Sequence, residues 1–214
     1  MGKYQKGILG AFSGKVGPVV GANWRGRDVL RSRPKKSNKA ASQLQVMQRE
    51  KFALVSNFVT PITPVVGQYF GRRNNTITQK NQCMRYFLRE VVQHDGTQAT
   101  LDYPKILVTR GELLGLQGIT AVASVGQTVD ISWTNNSNLG NALPTDQLLV
   151  VAYEPDSQQS WYTLNIANRA DGTASVALPS VWAGKTVYLW ASVVSDDNKL
   201  FAVSSYLNTV DLQP

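Results

Sequence analysis

The sequence predicts an α+β protein: a basic, glycine-rich arm and β-hairpin, then a two-helix segment, then an antiparallel β-sandwich. Three observations lead there. Residues 1–52 hold twelve lysines and arginines against two acids, Asp28 and Glu50, a net of +10; the remainder holds ten against twelve, a net of −2. Glycines crowd the start of the chain, at 7, 10, 14, 17, 21 and 26. From about Asp102 onward, short runs rich in Val, Ile, Tyr and Trp alternate with polar turns, as strands of a sandwich do.

The arm comes first. Glycine at such density serves unusual backbone angles or the close approach of another chain. An arm of this kind is costly to order alone and is ordered more readily against a partner. In the hairpin, Val16 to Trp24 is largely apolar and Arg27 to Arg33 is a second short strand, with Arg25-Gly26 as the turn. Side chains alternate faces along a strand, so Arg27, Val29, Arg31 and Arg33 share one face and the arginines form a ridge. Pro34 ends the strand, and Lys35-Lys36 carries the charge into a loop.

The first helix is expected near Ser42, where Ser42 and Gln45 have the spacing of a capping box. Leu44, Met47, Leu54, Val55 and Phe58 form its stripe, and Pro61 and Pro64 are expected to stop it. A second helix is expected from about Thr78 to Val92, with Met84, Phe87, Leu88 and Val91 on one side and Lys80, Arg85 and Arg89 off it. The strands are placed at 106–109, 119–124, 129–133, 148–153, 161–164, 174–178, 187–194 and 201–206. Val129 to Trp133 alternates cleanly and puts Trp133 inside. Two domains follow from this reading: residues 1–98 for arm, hairpin and helices, and 99–214 for the sandwich.

The hairpin at Val187–Val194, Asp196-Asp197-Asn198 and Phe201–Tyr206 resembles the end of a fibronectin type III or immunoglobulin-like domain, over roughly residues 118–212. The whole chain resembles an uncharacterised family of small Bacteroidota proteins. Three motifs carry that resemblance: SGKVG-x-VVG-x-x-W-R-G within Gly10–Arg25, R-S-x-P-K-K-S at Arg31–Ser37, and Q-x-x-Q-R-x-K-F at Gln45–Phe52. DYPKILVTRG at 102–111, the ISW at 131–133, the turn at Arg169–Gly172 and WAGKTV at 182–187 fit it too. The resemblance implies that Met1 is the true start and that the two-part organisation is typical; it implies no activity.

Several chemistries read poorly. Gly14-Lys15 invites a phosphate loop, but Leu9 stands where its first glycine belongs and Val16 where its hydroxyl belongs. His94 is the only histidine and Cys83 the only cysteine, so no zinc cage and no intrachain disulfide can form. A Cys83–His94 nucleophilic pair would need the fold to bring the two together, whereas a core thiol and a loop histidine is the simpler expectation. Asp130, Asp146, Glu154, Asp156, Asp171, Asp196 and Asp197 could feed a calcium site or a carboxylate pair, yet turn chemistry accounts for most of them. Trp161 and Trp182, next to polar turns, are the tryptophans expected to be exposed and able to line a carbohydrate or peptide groove. No leader-like apolar run opens the chain, and no run approaches membrane length. The chain is therefore expected to stay in the cytoplasm or be assembled from it.

The expectation is a protein with no enzymatic activity and no cofactor or metal. It is a structural, self-assembling component, virion-like or forming a particle or filament. Lys15, Trp24, Arg25, Arg27, Arg31, Arg33, Lys35 and Lys36 make its assembly or anion contacts. The alternatives are a protein that binds nucleic acid without sequence preference through the same residues, and a ligand- or carbohydrate-binding sandwich.

Overall fold

The computed structural model describes residues 3–4, 12–24, 27–35, 39–72 and 77–213. It divides into two compact units, residues 1–42 and 43–214. The arm expected over residues 1–16 lies largely outside the described residues.

The first unit is a four-stranded antiparallel meander, β1 (Lys3–Tyr4), β2 (Phe12–Val16), β3 (Val19–Trp24) and β4 (Arg27–Ser32), in that order. The expected hairpin is its β3–β4 half, in register from Trp24 opposite Arg27 to Val19 opposite Ser32. Strand β2 was hidden in the sequence by its glycine. It joins β3 through the two-residue turn Gly17-Pro18, where Gly17 has φ +55°, a left-handed value that favours glycine in such turns. Gly21 is needed for a different reason: a Cβ there would sit 2.1 Å from the Phe12 carbonyl oxygen and 2.8 Å from its ring.

The second unit has three layers. The first is helical: α1 (Gln43–Val59), α2 (Thr63–Tyr69) and α3 (Gln79–Tyr86). A single π turn, Phe87–Val91, continues α3 and closes with the Val92 N–H donating to the Phe87 carbonyl. The hairpin β5 (Val92–His94) and β6 (Ala99–Leu101) follows. Pro64 does not stop a helix; it sits in the first turn of α2, where a missing N–H costs nothing and the fixed φ suits the helix. Thr78 caps α3, its hydroxyl accepting from the Asn81 N–H.

The other layers are two antiparallel sheets. One holds β7 (Gln117–Ala123), β8 (Thr128–Thr134) and β11 (Thr173–Ala177), in the order β11-β8-β7. The other holds β9 (Gln147–Glu154), β10 (Gln159–Asn168), β12 (Thr186–Val194) and β13 (Ser205–Asp211), in the order β10-β9-β12-β13. This is an antiparallel sandwich of three and four strands. Strand β8 alternates buried and exposed along its length, because only one side of it is covered. Strands β9 and β12 do not alternate. Leu148, Val150, Ala152, Val187, Leu189 and Ala191 pack between the sheets, while Leu149, Val151, Tyr153, Trp190 and Val194 face Val55, Phe58, Phe87 and the other helical residues. Phe58 sits at that second interface, 5.4 Å from the Phe87 ring, 4.8 Å from Tyr153 and 5.7 Å from Trp190, centroid to centroid.

The helices and the four-stranded sheet thus share one core. That is why the chain divides at residues 42/43 rather than at the expected 98/99. The stretch expected as a strand at 106–109 is not one. Ile106 and Val108 are apolar because they are buried, and side chains take the hydrogen bonds of this connection: the Val108 N–H donates to Ser204 Oγ, and Thr109 Oγ1 donates to the Ala202 carbonyl. The last strand begins at Ser205, not Phe201; Phe201 and Ala202 make only isolated bridges.

Candidate functional site

Cross-strand partners share a face, so the registers of the N-terminal sheet fix which predicted site residues meet. Lys15 lies opposite Val20, and Val20 opposite Arg31. Ala22 pairs with Val29, and Trp24 with Arg27. Lys15, Trp24, Arg27 and Arg31 therefore lie on one face, with Val20, Ala22 and Val29 between them. Trp24 is 58% exposed. The opposite face carries Val16, Val19 and Leu30, all exposed, and an Asn23–Asp28 side-chain hydrogen bond of 2.8 Å. Arg33 continues the ladder by donating its N–H to the Pro18 carbonyl at 2.7 Å, and exposed Lys35 follows. Arg25 and Lys36 lie outside the described residues. Within β2 to β4 only Gly21 is buried. Gly14 and Lys15, the pair that echoes a phosphate loop, sit in strand β2 rather than ahead of a helix.

The remaining candidate residues lie in the second unit. Cys83 is fully buried in the helical core, and burial pushes its thiol far up, away from the reactive thiolate. His94 ends strand β5 instead of lying in a loop; its Nδ1 accepts the Gly96 N–H, so Nε2 carries the proton of the neutral ring and faces Glu50 Oε2 at 3.2 Å. Trp182 is 1% exposed, its Nε1–H directed at Gln159, and Trp161 is half-buried. Trp182, expected to be exposed, is instead buried, because it fills core volume between the sheets. Asp95, Asp130 and Asp197 accept hydrogen bonds from their own turns or neighbouring strands. Among the described residues, no three His, Cys, Asp or Glu side chains gather as a metal ion would require.

Two acids do more than turn a loop. Glu154 is buried and accepts from Lys185 Nζ at 3.0 Å, from the backbone N–H groups of Asp156 and Ser157, and from the Ser157 hydroxyl. Burial raises its carboxyl, but the donors from Ser157 and Lys185 outweigh that and hold it at about 2. Asp146 forms a fully buried ion pair with Arg169, Nε to Oδ2 at 3.0 Å. Arg169 also donates to Asn136 Oδ1 at 2.6 Å and to the Leu114 carbonyl at 2.7 Å. No helix among the described residues is long and apolar enough to cross a membrane.

The fold defines a class: an antiparallel sandwich backed by helices, with a separate basic sheet ahead of it. Residues 11–208 match a family of unknown function, DUF6266, and the chain belongs to that family. Among solved structures it is similar to the fn3 domain of the human collagen alpha-1(XX) chain. The identity is 12% and the TM-score 0.34, over 47% of this chain and 87% of that one. It is also similar to the FN5 domain of Drosophila Lar, at 10% identity and TM-score 0.34, over 46% of this chain and 95% of that one. No curated protein matches the chain.

Proposed function

We propose that the chain is a non-enzymatic structural protein that assembles with further copies of itself, as a particle or filament, through its N-terminal sheet. The observation that supports this is the apolar surface exposed on the described residues of that sheet. It has four strands, yet Val16, Val19, Trp24, Val29 and Leu30 are exposed on its two faces. A sheet is stabilised by covering a face, so this one gains from a second surface. Charge narrows the choice of surface. Residues 1–42 hold ten lysines and arginines against one acid, whereas residues 43–214 hold twelve against thirteen. The sandwich presents exposed carboxylates at Asp156, Asp171, Asp196 and Asp197 in its connections and at Asp211 at the end of β13. The body of a neighbouring copy is close to neutral overall, and these carboxylates are the local acidic groups that a basic sheet can meet. Leu44, Val46 and Phe52 on α1 add exposed apolar surface in the second unit.

Light scattering of the full chain over a range of concentrations tests this. The expected result is a distribution of oligomers that shifts to monomer when Arg27→Glu and Arg31→Glu are combined. A wild-type chain that stays monomeric at high concentration refutes it. A second reading rests on Trp24, exposed directly opposite Arg27: an aromatic among cations suits a single nucleic-acid strand. In that case affinity falls with salt at a log–log slope of about −3.6 for four phosphate contacts, and absence of binding at low salt removes the reading.

A further inference from the structure

We infer that the second unit carries a binding site for a small phosphate monoester, built on Arg85, Arg89 and Arg110. The three arginines line one cavity of about 280 Å³ where α3 passes into the π turn. Tyr86 forms part of its wall, and Glu90 is the one carboxylate there among the described residues. No described acceptor takes a hydrogen bond from these guanidinium groups, and no described carboxylate lies within ion-pair distance of them. By contrast, nearby Arg72 is held by Glu112 through bonds of 2.7 and 2.9 Å. Three cations share this cavity with one carboxylate, Glu90, and an anion relieves the excess positive charge.

The backbone fixes where this charge sits. The Arg110 N–H donates to the Tyr69 carbonyl at 2.9 Å, and its carbonyl accepts from the Gly71 N–H at 2.7 Å, so the residue is stitched to the end of α2 on both sides. The next residue must be glycine, since a Cβ at Gly111 would lie 2.0 Å from the Phe201 carbonyl oxygen. Arg85 and Arg89 are one turn apart, and π turns within helices are frequent at functional sites. The three side chains are exposed, and the main chain at Arg110 is held by its two backbone hydrogen bonds.

The number of forks argues for phosphate. Each guanidinium can present two parallel N–H donors, and a phosphate monoester offers three terminal oxygens and up to two charges where a carboxylate offers two oxygens and one. The ester group has a place as well. Arg110 also lines a second cavity, of about 600 Å³, together with Leu200, Phe201, Gln79, Arg72 and Glu112. That volume is in the range of small-molecule sites. Phosphate at the three arginines would leave the organic part beside Leu200 and Phe201.

Calorimetric titration of the full chain with phenyl phosphate, inorganic phosphate and benzoate tests this. Phenyl phosphate is expected to bind tightest, and Arg110→Gln to weaken it at least about tenfold, as loss of a charge-assisted pair does. Because the Arg110 side chain is exposed, the variant should keep its thermal midpoint. Three results would overturn the inference: no phosphate binding at low salt, benzoate binding as tightly as phenyl phosphate, or affinity that survives Arg110→Gln. Loss of binding in Arg27→Gln with Arg31→Gln but not in Arg110→Gln would place the anion on the N-terminal sheet instead, and so also overturns it.

Discussion

Replacing Arg169 by alanine should be the most damaging single change in the sandwich. The side chain is fully buried and donates to Asp146 Oδ2, Asn136 Oδ1 and the Leu114 carbonyl. Its removal strands the Asp146 carboxylate in the interior with one remaining partner, the Leu143 N–H at 2.9 Å. Breaking one side of a buried ion pair costs about 3–5 kcal/mol, a large part of the ~5–15 kcal/mol that holds a typical domain. Guanidinium unfolding followed by tryptophan fluorescence measures it, and Trp133 is well placed as a reporter because its Nε1–H donates to the Arg169 carbonyl at 2.9 Å. A companion variant, Arg169→Met with Asp146→Leu, removes both charges and should recover most of the loss, since paired apolar replacement is often neutral. A single-variant loss below about 1 kcal/mol, or a double variant as unstable as the single one, would refute the reasoning.

Three further changes test other parts of the fold. Gly111→Ala forces a Cβ against the Phe201 carbonyl and should cost about 1–3 kcal/mol, whereas Gly115→Ala, with its nearest neighbour at 3.8 Å, should be close to neutral; denaturant midpoints compare the two. Phe58→Ala empties the contact between α1 and β9–β12 and should lose about 3–5 kcal/mol by the same measurement. Glu154 sits at about 2 when folded, below its ordinary 4.5, so it stabilises the protein above pH 4.5 and loses that contribution as pH falls towards 2. Midpoints measured across that window should slope less in Glu154→Gln, and parallel profiles would discard the assignment.

What was legible in the sequence was whatever has a period. Strand β8 and helices α1 and α3 could be read because each has one covered side, which leaves an alternating or a 3.6-residue pattern. The third layer could not be read in that way, though it left a trace. The runs Leu148–Tyr153 and Leu189–Val194 are apolar without alternation, as strands covered on both sides are. That trace says that something covers the second side without saying what. The basic ridge was visible because charge is local in sequence. Lys15 on the same face as Arg31 depends on a strand that Gly14 disguised, and Arg110 beside Arg85 and Arg89 depends on a tertiary contact between α2 and the connection after β6.

The shared core also sets an order of events during synthesis. The apolar sides of α1 and α3 are complete once residue 91 is made, but they pack on Leu149, Val151 and Trp190. At about 5–20 residues per second, the gap from residue 91 to residue 190 lasts about 5–20 s. During that time the helices have no sheet to close upon. A chain that stalls or is truncated before β12 would carry its adhesive surface open, and on a polysome the nearest copy of the missing sheet belongs to a sister chain. Slower translation through residues 92–190 lengthens the time for which that surface stays uncovered.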